Sequence, residues 1–297
     1  MSFSHKIRVG VLRGGPSPEY EVSLKTGGTI LANLPEEFEP LDIFISKDGA
    51  WHARGLEKSP YDILKTVDVV VNALHGAYGE DGTVQKLLEQ FNIPYTGSDS
   101  IASALGMNKI MSKDIFNRYG FKTPHHILIN ENEKNLVSKI NQSLPFPIII
   151  KPIKSGSSLG ISFANKVGEI KESLEKSFRH SPDLMVEEYI EGKEAACGVI
   201  EGFRGQKFYT LLPIGNFGEN ENAQIQEAAK TIHQALGLRH YSGSDFIVHP
   251  KRGLFVLEAN SLPELTHRSS FIKSLEAVGG NIGQFLSHLL SRTLEQS

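Results

Sequence analysis

A single cysteine, Cys197, stands in this chain of 297 residues. A lone thiol excludes an intrachain disulfide framework and fits a reducing compartment, which predicts a cytoplasmic protein. No apolar run approaches the length of a membrane span, and the opening segment MSFSHKIRVGVLRGG has too short an apolar stretch for a secretory leader. Neither sign of charge dominates: 31 basic residues face 34 acidic ones, for a formal net charge of −3. Bulk electrostatics therefore gives no drive toward nucleic acid or an anionic membrane. Internal repeats and low-complexity tracts are missing too. So are two nucleotide fingerprints: there is no G-x-x-x-x-G-K-[ST] string, and GVLRGGPSPE does not fit G-x-G-x-x-G.

What is present is a chain that can bury a substantial core, with 39% hydrophobic and 22% charged residues, and two or three domains are expected from its length. Its first hundred residues alternate strand and helix signals. KIRVGVL (6–12) and DVVVNAL (68–74) are β-branched runs of the kind buried in a parallel sheet. Residues 19–34 and 83–91 have helical spacing, although Gly27 and Gly28 weaken the first segment. This alternation predicts a doubly wound parallel sheet with functional loops at the carboxyl ends of its strands, where RGGPSPE and HGAYGEDG fall. From about residue 101 the pattern shifts to short helices and an α+β segment, with further helices over 166–178 and 223–237. NFGENENAQ (216–224) is the most loop-like stretch.

Four constellations carry chemistry. The first is IIIKPIKSGSSLGIS, in which an apolar strand ends at Lys151 beside a loop of glycine and serine. Glycines permit close approach to a ligand, and a lysine at the end of an apolar strand costs burial energy unless it meets an anion. Taken alone, an ordinary Gly/Ser hairpin explains the loop as well. The second is LFVLEAN (254–260). Side chains alternate along a strand, so Glu258 and Asn260 share a face while Leu257 and Ala259 turn to the core. A carboxylate and an amide oxygen so placed can share a hard cation such as Mg²⁺, and Asp245 on the preceding strand SGSDFIVH could lie opposite. A polar solvent-facing edge is the competing explanation. MVEEYIEGKE, the third, could offer edge groups and carboxylates to an adenine and its ribose, or be a solvated acidic turn. In the fourth, HGAYGEDGTVQKLLE, His75 follows a strand, and Glu80 and Asp81 are expected to cap the helix beginning near Thr83.

In this order, the pieces resemble the D-alanine–D-alanine ligases of the ATP-grasp superfamily over nearly the whole chain. GGPSPEYEVS resembles the family's first substrate motif, and LHGAYGEDGTVQKLLEQFNIPYTGS closely matches its second. GMNKIMSK, IIIKPIKSGSSLGIS, VEEYIEGKE and DFIV…LFVLEANSLPELT follow in register. The resemblance implies three domains, here 1–100, 101–190 and 191–297, combining α/β and α+β structure in the ATP-grasp architecture. It also implies an activity: ATP phosphorylates the carboxylate of one D-alanine, and the amine of a second attacks the acylphosphate, supplying a dipeptide for peptidoglycan precursors. Lys109 and Lys151 would contact the phosphates, and the 155–160 loop, with Ser157 and Ser158, would cover them as a lid. Glu187, Glu188, Ile190 and Glu194 would hold adenine and ribose. Asp245, Glu258 and Asn260 would bind two Mg²⁺, or Mn²⁺ in their place. Glu19, supported by Ser157, would anchor the ammonium of the first amino acid, and Ser269 would meet the carboxylate of the second. Partners are then small molecules, D-alanine and ATP, with monomer and homodimer both open.

Three departures from the family pattern concern the second amino acid. Gly243 occupies the place of an arginine that stabilises the tetrahedral oxyanion, a loss worth roughly 10²–10³ in rate. A long substrate-covering loop carrying Tyr and Lys is missing, since LLPI runs through GNFGENEN into a helix expected at Ala223. A glycine after the metal-binding asparagine becomes Glu264, which would repel the second carboxylate. These departures predict poor coupling of ATP use to dipeptide, repaired by Arg at 243 if the surroundings are conventional, with Arg239, His267 and Arg268 as candidate replacements. They keep two alternatives in view: a ligase with another amine acceptor, and a nucleotide-binding homologue with weak or no ligation.

Overall fold

The structure is a computed structural model that describes residues 6–153 and 160–296. Three sheets follow one another along the chain. The first has strand order β4-β3-β2-β1-β5, built from β1 (Ile7–Gly14), β2 (Phe38–Ile45), β3 (Trp51–Ala53), β4 (Leu56–Glu57) and β5 (Val69–Asn72). β1 pairs in parallel with both β2 and β5, while β3 and β4 extend the edge as an antiparallel hairpin. The parallel part matches the expectation, and the hairpin makes the sheet mixed. Val9, Val11, Val69 and Val71 are fully buried, as expected for strands covered on both faces.

α1 (Tyr20–Asn33) follows β1, and α3 (Thr83–Gln90) follows β5, so the loops before both helices open at the carboxyl ends of parallel strands. Gly27 does not break α1. A Cβ there would stand 2.5 Å from Arg13 Cβ, so the glycine is what lets the helix lie against β1.

The second sheet, order β6-β9-β7-β8, is antiparallel and comprises β6 (His126–Asn130), β7 (Ile148–Pro152), β8 (Ser162–Ala164) and β9 (Asp183–Glu188). The third, order β11-β10-β12-β13, is also antiparallel: β10 (Lys193–Glu201), β11 (Phe208–Thr210), β12 (Tyr241–His249) and β13 (Gly253–Asn260). Helices α4 (Ser100–Met107) and α5 (Lys109–Arg118) lend Ala102 and Phe116 to the core over the third sheet, beside Cys197, Phe246 and Val256. The last helix, α10 (Ile282–Glu295), packs Phe285, Leu286 and Leu289 with Val9 and Val71 of the first sheet. Ile200 and Tyr241 of the third sheet belong to the same core, which therefore joins the first and third sheets, while the second sheet has a core of its own.

Helix starts follow local chemistry. Asp99, Asn108 and Asn281 each accept backbone N–H bonds at the starts of α4, α5 and α10, and such a cap is worth about 1 kcal/mol. The helix α8 (Glu219–Ala235) begins four residues earlier than the sequence suggested. Glu219 and Glu221 sit in its first turn, and Glu221 Oε2 accepts the Gly218 N–H at 3.0 Å. Acidic residues that read as loop are thus helix starters, favoured by the positive end of the helix dipole. Only residues 211–218 remain between β11 and α8.

Candidate active site

The end of β12 and β13 gathers the oxygen ligands. Asp245 pairs directly with Glu258, and Gly243 with Asn260. Between Asp245 and Phe246 the register slips, so Phe246 faces Val256 and Leu257 is the extra residue of a bulge. Leu257 therefore does not turn to the core with Ala259, as strict alternation predicted; it lines the adjoining cleft. Burial, then Glu258 and Glu194, push the Asp245 carboxyl up to about 7. Two carboxylates crowded to that degree, with the Asn260 amide beside them, form an all-oxygen set of the type that holds a hard divalent cation. Among the described residues, no cluster of three or more His, Cys, Asp or Glu offers another metal site.

A chain of cations lies next to these acids. Lys109, at the start of α5, places Nζ 3.9 Å from Glu258 Oε2. One turn on, Lys113 is fully buried with Nζ 2.8 Å from Glu187 Oε1, and Lys151 Nζ, at the end of β7, is 2.7 Å from Glu187 Oε2. Burial lowers the pKa of Lys109 and Lys113, partly offset by Glu258 and Glu187. Burial alone would raise Glu187, but the two ammonium groups bring it below the usual carboxylate range. Lys109 and Lys151 are the two cations that line the adjoining cleft, and each already faces a carboxylate, Glu258 for the first and Glu187 for the second.

Three cavities meet here. A cleft of about 550 Å³ is lined by Lys109, Lys151, Glu187, Ile190, Glu194 and Asp245, with Phe163 and Leu257 among its apolar walls. A second, of about 340 Å³, is lined by Gly243, Asp245, Asn260, Glu264, Arg268 and Ser269. A third, of about 210 Å³, is lined by Glu19, His75, Glu80, Lys109, Asn260 and Glu264. Asp245 belongs to the first and second cavities, Lys109 and Glu258 to the first and third, and Asn260 and Glu264 to the second and third. The three oxygen ligands thus stand at the junctions of three spaces.

The smallest cavity lies at the carboxyl end of the parallel strands, as the strand–helix alternation predicted. Glu19 precedes α1 and is buried. It fits because residue 76 is glycine at φ +71°: a Cβ there would stand 2.9 Å from Glu19 Oε1. His75 Nε2 is 2.9 Å from Thr26 Oγ1, and its Nδ1 is 3.8 Å from Glu80 Oε1. Glu80 accepts the Gly76 N–H at 2.8 Å and does not cap α3; Asp81 does that alone, accepting the Thr83 N–H at 2.9 Å. The helix-cap expectation therefore holds for Asp81 and fails for Glu80, whose side chain turns back into the cavity.

Other expected residues have more mixed settings. Glu188 also lines the cleft, but its carboxylate is held by Arg252 through two bonds of 2.7 and 2.8 Å and accepts the His125 N–H. That leaves only its backbone for a base. Ser269 Oγ accepts the Ile272 N–H and so caps α9 (Ser270–Ala277) while lining the second cavity. Ser157 and Ser158 lie outside the described residues. Arg239 stacks on Tyr95 at 5.8 Å and lines none of the three cavities, whereas Arg268 lines the second. Lys113 escaped the sequence reading, although its spacing from Lys109 in NKIMSK places both on one helix face. Arg252 carried no local signal, since its partner is 64 residues away.

Known proteins resemble this chain along most of its length. A family model described as D-ala D-ala ligase N-terminus matches residues 8–98, and one described as D-ala D-ala ligase C-terminus matches residues 115–211 and 211–291. The chain belongs to the D-alanine–D-alanine ligase family. It is 33% identical over 282 residues to the D-alanine–D-alanine ligase of Geobacter sulfurreducens, covering 87% of this chain and 85% of that protein. The ligase of Syntrophotalea carbinolica is 34% identical over 306 residues, covering 96% of this chain and 95% of the other. Among solved structures, the Bacillus anthracis ligase complexed with ATP superposes with a TM-score of 0.82 at 29% identity, covering 97% of each chain. A D-Ala:D-Ser ligase from Enterococcus faecalis superposes at 0.85 with 26% identity, covering 97% of this chain and all of that one. Within this family frame, a Cβ at Gly243 would stand 3.2 Å from Pro263 Cγ, so a larger residue there asks that ring to give by a few tenths of an ångström.

Proposed function

We propose that the chain is an ADP-forming ligase that joins two D-alanines through an acylphosphate, in the cytoplasm, as a step toward peptidoglycan precursors. The observation that carries this is the meeting of three cavities at Asp245, Glu258 and Asn260, one space for each of three substrates. In this assignment the cleft of about 550 Å³ takes ATP, with adenine against Ile190 and Leu257, ribose at Glu194, and phosphates at Lys109 and Lys151. The backbone of Glu187 and Glu188 faces the base, while the Glu187 side chain steadies Lys151. The smallest cavity takes the first D-alanine, its ammonium on Glu19, and the second takes the acceptor near Ser269. Ser157 and Ser158 are assigned to the loop over the phosphates.

The acidic set Asp245, Glu258 and Asn260 would hold two Mg²⁺, which offset the charge that builds on the transferring phosphoryl group. Carboxylate and triphosphate repel one another, and Lys109, shared by the ATP and donor cavities, sits where it can attract both. Water must be kept from the acylphosphate, or ATP is hydrolysed without product. Division into residues 1–100, 101–190 and 191–297 is the working partition, with one sheet in each. Cytoplasmic placement is supported by Cys197, whose thiol is buried and pushed up to about 12, the state of an inert reduced cysteine.

The test is ADP release across D-amino acids with mass spectrometry of the product. D-alanine should drive ADP formation and yield the dipeptide; a mixed product from D-serine would move the assignment to another acceptor. If no D-amino acid raises ADP release, the ligase assignment fails.

A further inference from the structure

The acceptor cavity carries a charge pair of its own. Apart from Asp245, Glu264 is the one carboxylate lining it, and Arg268 is the one cation. Both sit on the loop between β13 and α9. Thr266 Oγ1 donates to Glu264 Oε1 at 2.6 Å, which fixes that carboxylate and leaves Oε2 available. Arg268 makes no hydrogen bond or ion pair with any described residue.

The pair is oriented. Glu264 lines both the acceptor and the donor cavities, whereas Arg268 lines the acceptor cavity alone, beside the N-terminus of α9. Glu264 thus borders the donor side, and Arg268 stands just before the start of α9, where Ser269 Oγ already takes the Ile272 N–H. A zwitterionic amino acid has the opposite polarity, and the space of about 340 Å³ admits a small one.

We propose that Glu264 and Arg268 are the acceptor-recognising residues: Glu264 receives the acceptor's ammonium and takes one of its protons, and Arg268 holds its carboxylate. This rests on the ligase assignment above and specifies the chemistry of its second substrate. The steps balance. Glu264 is protonated as the ammonium becomes an amine, the C–N bond forms, the acylphosphate C–O bond breaks, and phosphate leaves with the second N–H proton. Glu264, which seemed set to repel the acceptor's carboxylate, instead turns the acceptor so that its nitrogen faces the donor.

The experiment uses the full chain, D-alanine as substrate, and two competing ligands that each lack one charge: D-lactate, without the ammonium, and D-alaninamide, without the carboxylate. Arg268→Gln should raise the acceptor KM and the D-lactate inhibition constant by roughly ten- to a hundredfold, while moving that for D-alaninamide less than about threefold. Glu264→Gln should do the reverse, weakening D-alaninamide and sparing D-lactate, and should lower kcat for dipeptide formation more than it raises the acceptor KM. Glu264→Asp should restore part of that rate. If the wild type makes dipeptide but either variant weakens both ligands equally or neither, the charge assignment is overturned and the ligase assignment stands. A wild type that consumes no ATP with any amino acid overturns the ligase assignment itself, and this inference with it.

Discussion

Lys151 Nζ stands 2.7 Å from Glu187 Oε2. Lys113 reaches the other oxygen of that carboxylate at 2.8 Å from a fully buried position, so one acid orients a lysine that lines the first cleft and is itself held by a lysine that lines none of the three cavities. Removing a member of a buried charge cluster leaves its partner uncompensated. Lys113→Met should therefore cost about 3–5 kcal/mol in denaturant unfolding and raise the KM for ATP. A loss well under 1 kcal/mol, with the ATP constant unmoved, would show that Lys151 is positioned without Lys113.

The crowded acids at β12 and β13 predict a metal- and pH-dependent response. Burial and the neighbouring acids push the Asp245 carboxyl up to about 7, so the folded state keeps its proton where the unfolded chain has lost it. Stability from this group is complete below the ordinary aspartate range and is lost as pH rises through about 7. A divalent cation must displace that proton, so Mg²⁺ should bind more weakly as pH falls below 7, by up to about tenfold per unit. Glu258→Gln should keep the fold and abolish ATP turnover. Turnover at the wild-type level in that variant would remove the metal assignment.

Coupling of ATP use to product depends on the second cavity and on what covers it. Only residues 211–218 lie between β11 and α8, and of these Ile214 and Gly215 line the first cleft while none lines the second cavity. ADP should therefore exceed dipeptide in the native enzyme. Gly243→Arg should not repair this, because a second guanidinium would join Arg268 in one cavity. In the Arg268→Gln background the same substitution should recover part of the dipeptide yield. One dipeptide per ADP in the native protein would show that the short cover already excludes water.

Glu201 ties the third sheet to two helices. It accepts from Arg292 of α10 at 3.0 Å and lies 3.3 Å from His233 of α8. Burial alone would raise its pKa, but these partners bring it down to about 2. The stability it contributes is present above the usual glutamate range and is lost as pH falls through about 2. Glu201→Gln should cost about 2–3 kcal/mol at neutral pH, with the gap to wild type closing below pH 4.5. A gap that stays constant down to pH 2 would assign the cost to packing instead of charge.

What the sequence determined on its own was local. β1 and β5 were legible because β-branched runs buried on both faces leave no polar alternation, and Glu258 and Asn260 shared a face because a strand repeats every two residues. The cation at the end of β7 was legible as well, since a lysine closing an apolar strand needs an anion. The tertiary structure decided the rest. It supplied the bulge that turns Leu257 into the cleft, the capture of Glu188 by an arginine 64 residues away, and the choice of Arg268 over Arg239 as the cation in the acceptor cavity. It also decided that the short acidic stretch before Ala223 is the first turn of α8. Strand pattern and capping depend on neighbours a few positions apart, but ion-pair partners and cavity walls are set by which elements pack together, and no local window contains that choice.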